Sequence, residues 1–98
     1  MVQTPESKLK QRIRDLLTAR GAFYSNVQGG SFAKPGDPDM VVCYHGRYIA
    51  IEAKAPDGRQ SSIQRIRQDQ IEEAEGMYVL AYSLDDVIRA LDSVDSAM

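Results

Sequence analysis

The chain has no tryptophan, one cysteine, one histidine and no apolar stretch near the roughly 20 residues needed to cross a bilayer. Each shortage closes off a class of function. Cys43 alone cannot form an internal disulfide, and His45 alone offers no ligand set for a zinc ribbon or a histidine-rich metal site. The opening MVQTPESKLK lacks the apolar core of a secretory signal. The expectation is a soluble, cytoplasmic protein with no membrane partner and a reduced Cys43 thiol packed in the core.

What is present is the composition of a globular domain. Of 98 residues, 43% are hydrophobic and 27% charged, enough for one core spanning 1–98, with 93–98 expected as a frayed tail. The net charge is only −2, but it is divided: residues 1–67 carry eleven Lys/Arg against six Asp/Glu, and residues 68–98 one against eight. Such a chain can offer a basic face to nucleic acid despite its acidic total. The sequence contains no repeat, linker or low-complexity segment.

Punctuation divides the chain into seven elements. Thr4 predicts an N-cap, with Pro5 at the first helical position and Glu6 in the first turn. Leu9, Ile13, Leu16 and Leu17 make the apolar stripe of that helix, and Gly21 its stop. AFYSNV (22–27) reads as a strand, GGSFAKPGDP (29–38) as a loop, and the stretch 36–54 holds two strands hinged at His45-Gly46, the first opened by Asp39 and the second with Glu52 and Lys54 near its end. The loop is Gly-rich but lacks the Gly-Lys-Ser/Thr ending of a phosphate-binding P-loop. Ser61 and Gln64 predict a capping box opening a second helix, with Ile63, Ile66, Ile71 and Ala74 on its inner side and Gly76 at its end. MYVLAY (77–82) is a strand, and Ser83 caps a short helix containing Leu84, Val87, Ile88 and Leu91. The order αβββαβα predicts an α/β fold with a mixed sheet flanked by helices.

The hairpin raises the chemical question. With a two-residue turn at His45-Gly46, Tyr44 faces Arg47, Cys43 faces Tyr48, Val41 faces Ala50 and Asp39 faces Glu52. Directly opposed residues lie about 4.5–5.5 Å apart at Cβ, where like charges are destabilising. Two carboxylates there suit a hard divalent cation, which Mg²⁺ chemistry satisfies with one or two carboxylates, water and phosphate. Lys54 shares the face of Glu52. A three-residue turn would instead send the two acids to opposite faces. Glu6, three residues before Leu9, either reaches the site or only favours the helix N-terminus.

Pro38-Asp39 followed by Glu52-Ala53-Lys54 resembles the signature of the PD-(D/E)XK, restriction-endonuclease-like nucleases. Together with Glu6, the Gly36-Asp37-Pro38-Asp39 turn, Gly58 to Gln64 and the closing GMYVLAYSLDDV, it resembles a standalone VRR-NUC (virus-type replication-repair nuclease) domain from about Glu6 to Leu91. Many relatives carry Pro-Glu before the glutamine and a tryptophan soon after; here Ser62-Ile63 stand there. The resemblance implies a restriction-endonuclease-like αβββαβ core and a Mg²⁺- or Mn²⁺-dependent DNA endonuclease. Its preferred substrate would be branched DNA, four-way junctions above all, and the protein a homodimer without an organic cofactor. By position it implies Asp39, Glu52 and the Ala53 carbonyl as metal ligands, Glu6 acting directly or through water, Lys54 as the catalytic lysine and Gln64 as a supporting residue. A lone domain of this kind suits a phage, a mobile element or a bacterium.

Blander readings stand beside these. Asp39 can be a strand-entry residue, Lys54 an edge charge that discourages aggregation, and Gln64 only the capping partner of Ser61. Lys8, Lys10, Arg12 and Arg14 have the look of a solvated helix face. Lys8 and Arg12, with Lys34, Arg59, Arg65 and Arg67, are the candidates for phosphate contacts. Flap DNA or DNA in general is the alternative substrate, and a non-cutting nucleic-acid-binding or assembly module the alternative function.

Overall fold

Pro at the first helical position and a threonine cap start the chain into a helix. In the computed structural model, which describes residues 3–27 and 33–98, α1 runs Pro5–Ala19, and Thr4 Oγ1 accepts the Ser7 N–H at 3.1 Å. Such a cap contributes about 1 kcal/mol. Gly21, at φ +75, turns the chain out of the helix. β1 (Phe23–Asn26), β2 (Met40–Tyr44), β3 (Arg47–Ala53), α2 (Ser62–Glu73), β4 (Met77–Ala81) and α3 (Leu84–Ser96) follow in the predicted order. Gln28 and residues 29–32, the Gly-rich start of the predicted loop, lie outside the described residues.

The sheet order is β1-β2-β3-β4, antiparallel over the first three strands and parallel between β3 and β4. His45 and Gly46 both take positive φ, 50° and 79°. That is the two-residue turn that matches strand twist. The ladder accordingly pairs Tyr44 with Arg47, Cys43 with Tyr48, Val41 with Ala50 and Met40 with Ile51. The ladder stops there, and Asp39, one residue before β2, meets the end of β3 through its carboxylate and the Ala53 N–H.

Strand alternation separates two faces. Met40, Val42, Tyr44, Ile49, Ile51, Ala53, Val79 and Ala81 meet Ile13 and Leu17 of α1 and Val87, Leu91 and Val94 of α3 in one core. Truncating one of its larger buried side chains to Ala would cost about 2–5 kcal/mol. The opposite face, bearing Tyr48, Ala50 and Glu52, is crossed by α2.

That second face departs from the expectations. Cys43 is exposed rather than packed. It sits in the cross-strand row Phe23–Cys43–Tyr48, where Phe23 is 73% and Tyr48 46% exposed, because α2 leans toward β4 and leaves the β1–β2 side open. For the same reason Ile63 and Ile66 are 40% and 52% exposed, and Ala74 is exposed too, instead of forming an inner side. α2 ends with Glu75, not Gly76, in the left-handed conformation. The tail also differs. α3 continues to Ser96 because Val94 extends its buried stripe, while the Asp95 carboxylate accepts the Tyr44 hydroxyl at 2.9 Å and an Arg20 N–H at 3.3 Å. Among the described residues no helix is long and apolar enough to cross a membrane.

Candidate active site

The charged ends of the hairpin strands lie at the edge of the core, and both acids are buried: Asp39 is 6% and Glu52 4% exposed. Pro38 precedes the strand and fixes the entry; the Asp39 carbonyl then accepts the Val27 N–H at 2.8 Å, tying β1 to the site. Asp39 Oδ2 accepts the Ala53 N–H at 2.7 Å, so the backbone of β3 orients the carboxylate. The Ala53 peptide is thereby part of the site's wall.

Glu52 projects toward α2. Its Oε1 accepts from Gln64 Nε2 at 2.9 Å, and Lys54 Nζ stands 4.0 Å away. Gln64 fulfils both of its readings with different atoms. Its Oε1 accepts the Ser61 N–H at 2.9 Å and its backbone N–H meets Ser61 Oγ at 3.2 Å, completing the capping box, while Nε2 is left to hold Glu52. Glu52 Oε2 is buried and has no hydrogen-bond partner among the described residues. Burial, then the nearby charge of Asp39, pushes the Glu52 carboxyl up to about 7, against the opposing influence of Lys54 and Lys10.

Lys10 is the residue that sequence reasoning missed. It is not part of a wholly solvated helix face: its Nζ lies 3.1 Å from Asp39 Oδ1 and 3.4 Å from Glu6 Oε2. Burial works against its ammonium, but the hydrogen bond to Asp39 and the two acidic charges outweigh it, so its pKa is raised. The i,i+4 spacing from Glu6 was the available signal. Glu6, 40% exposed at its side chain, thus reaches the site through Lys10.

Around these residues the surface is open. A cleft of about 320 Å³ is lined by Lys54, Lys8, Arg12, Pro56 and Tyr82, and another of about 400 Å³ by Lys10, Arg14, Asn26 and Asp39. The larger cleft of about 620 Å³ lies at the hairpin end by Tyr48 and Ile71, remote from the carboxylates. Two of the expected phosphate-contact residues, Lys8 and Arg12, therefore flank Lys54. Lys34, Arg59 and Arg65 are exposed on the loops and on α2, with Arg65 held 3.0 Å from Asp69.

The donor set suits a hard cation. Two buried carboxylates, one with an orphaned oxygen, sit beside a backbone peptide, and Mg²⁺ typically takes one or two carboxylates with water and phosphate. Among the described residues no three Asp, Glu, His or Cys side chains are grouped into a ready cage. The remaining ligands would come from solvent, backbone and substrate.

No family model and no curated protein matches the sequence. A solved structure described as a VRR_NUC domain matches with a TM-score of 0.74 over 92% of this chain and 97% of that one, at 17% identity. The chain has the fold of that domain: a small restriction-endonuclease-like α/β architecture, a mixed four-stranded sheet flanked by helices.

Proposed function

We propose that this protein is a Mg²⁺- or Mn²⁺-dependent endonuclease that hydrolyses phosphodiester bonds in branched DNA. One observation carries the reading: Asp39 and Glu52 are both buried at the site, with Glu52 Oε2 lacking a hydrogen-bond partner among the described residues and Lys54 adjacent. Burying like charges is costly unless a cation or a proton compensates them. The VRR_NUC-domain fold supports the same reading.

Asp39, Glu52 and the Ala53 carbonyl would hold the cation, with Glu6 contributing directly or through water. When bound, such an ion neutralises phosphate charge and makes an attacking water more acidic. The protein's own groups do the rest. The Ala53 N–H fixes the Asp39 rotamer, and Gln64 Nε2 fixes that of Glu52. Lys54 Nζ, 4.0 Å from Glu52 Oε1, would steady charge developing on the scissile phosphate or orient the water. Lys8 and Arg12, on the cleft beside Lys54, would grip the DNA backbone, with Lys34, Arg59 and Arg65 farther out. Recognition would rest on DNA shape and phosphate contacts, since no base-reading element stands out in the sequence.

A homodimer completes the reading. Phe23, Tyr48, Ile63 and Ile66 leave the α2 side of the molecule apolar and exposed, which supports association of two copies there. Two-fold symmetry suits paired cuts in a four-way junction.

The test is cleavage of labelled junction, flap and duplex DNA with Mg²⁺, Mn²⁺ or EDTA. Wild type should cut the junction best and only with metal, while Asp39→Ala and Lys54→Ala should be inactive. Cutting in EDTA, or full activity in both variants, would sink the proposal.

A further inference from the structure

Lys10 occupies one side of Asp39. Of the two Asp39 oxygens, Oδ2 is taken by the Ala53 N–H at 2.7 Å, and Oδ1 by the Lys10 ammonium at 3.1 Å. The same ammonium lies 3.4 Å from Glu6 Oε2. It therefore bridges two of the acids that face the site and offsets a buried carboxylate in the protein without metal. Lys54 does not share this role, since it approaches Glu52 from the residue just past β3, at 4.0 Å.

We propose that Lys10 is a tethered counter-ion that competes with the divalent cation for Asp39. This rests on the metal-dependent reading above. A divalent cation approaching the Asp39 oxygen not held by backbone meets the like charge of the Lys10 ammonium there, so its binding displaces the ammonium or works against it. Lysine suits such a role: it is a point charge on a flexible stem, whereas an arginine fork would bind the carboxylate at two points and release it less readily. The stem has somewhere to go, because the cleft of about 400 Å³ shared with Arg14 and Asn26 opens beside it. Lys10 thus holds the site together when no metal is bound and sets the metal concentration at which the site fills.

Calorimetric titration of MnCl₂ into wild type, Lys10→Met and Lys8→Met at low ionic strength tests this. Lys8→Met removes the same charge from the same helix without touching Asp39. Lys10→Met should bind Mn²⁺ about two- to fivefold more tightly than wild type, the range set by one partly exposed ion pair. Lys8→Met should change affinity by clearly less. In EDTA, Lys10→Met should also melt at a lower temperature than wild type, and added Mn²⁺ should raise its melting temperature by more. Should Lys10→Met not fold in EDTA, Lys10→Gln, which keeps a polar contact, carries the same expectation. Binding by wild type with equal or weaker binding by the Lys10 variant overturns the proposal alone. An equal gain in Lys8→Met also overturns it, by making the effect one of general charge. Absence of Mn²⁺ binding in all variants overturns the metal-dependent reading and this proposal with it. Binding by the Lys10 variant alone supports competition in its strongest form.

Discussion

Gln64 Nε2 donates to Glu52 Oε1 at 2.9 Å while Gln64 Oε1 closes the cap of its own helix on Ser61. One side chain thus ties the start of α2 to a buried carboxylate on β3. Gln64→Leu should remove both contacts and destabilise the protein by about 1–2 kcal/mol in urea unfolding. Groups that orient a ligand typically matter about 10- to 100-fold, so the cleavage rate should fall by that amount. Unchanged cleavage with lowered stability would leave Gln64 as a cap alone.

Glu52 makes metal-free stability depend on pH. Its carboxyl is raised from 4.5 to about 7, first by burial and then by Asp39. Between those values the folded chain keeps a proton that the unfolded chain has released. Stability should therefore fall as pH rises through this window and level off above it, by at most roughly 3 kcal/mol. Glu52→Gln removes the titration. In EDTA it should be more stable than wild type at pH 8, similar near pH 4, and inactive as a nuclease. A difference between the two proteins that does not vary with pH would contradict this account.

Gly36 positions the turn that leads into Asp39. Its φ is +87, and a Cβ there would lie 2.9 Å from Ile63 Cγ1 and 3.0 Å from the Ile63 carbonyl oxygen. Gly36→Ala should cost about 1–3 kcal/mol and reduce cleavage by moving Asp39 relative to Glu52. Gly21→Ala is the comparison: φ is +75 but nothing lies within 4 Å, so it should lose some stability and retain cleavage. Equal cleavage by the two variants would separate the turn from the site.

Much of this geometry was legible because local chemistry dictated it. His45-Gly46 specified a two-residue turn, and the turn specified the register from Tyr44–Arg47 to Met40–Ile51, next to Asp39 and Glu52. Ser61 and Gln64 announced the start of α2 in the same way. Cys43, Ile63 and Ile66 were misread because periodicity says which residues share a face, not whether another element covers it. α2 lies toward β4, so the β1–β2 side stays open. The last turn of α3 was hidden because Asp92, Ser93, Asp95 and Ser96 look like a polar tail, although Tyr44 and Arg20 hold Asp95 from distant parts of the chain. Lys10 escaped notice for a related reason. Its local mark was the i,i+4 spacing from Glu6, but nothing near it in sequence pointed to the buried Asp39 far along the chain.

The central claim is that Asp39 and Glu52 together hold a divalent cation. Anomalous diffraction from a crystal soaked in MnCl₂ tests it most directly. The account predicts a manganese peak bonded to one oxygen of each carboxylate, with Lys10 Nζ withdrawn from Asp39. A fully soaked crystal of active protein with no peak at that pair, or with manganese bound elsewhere, would contradict it.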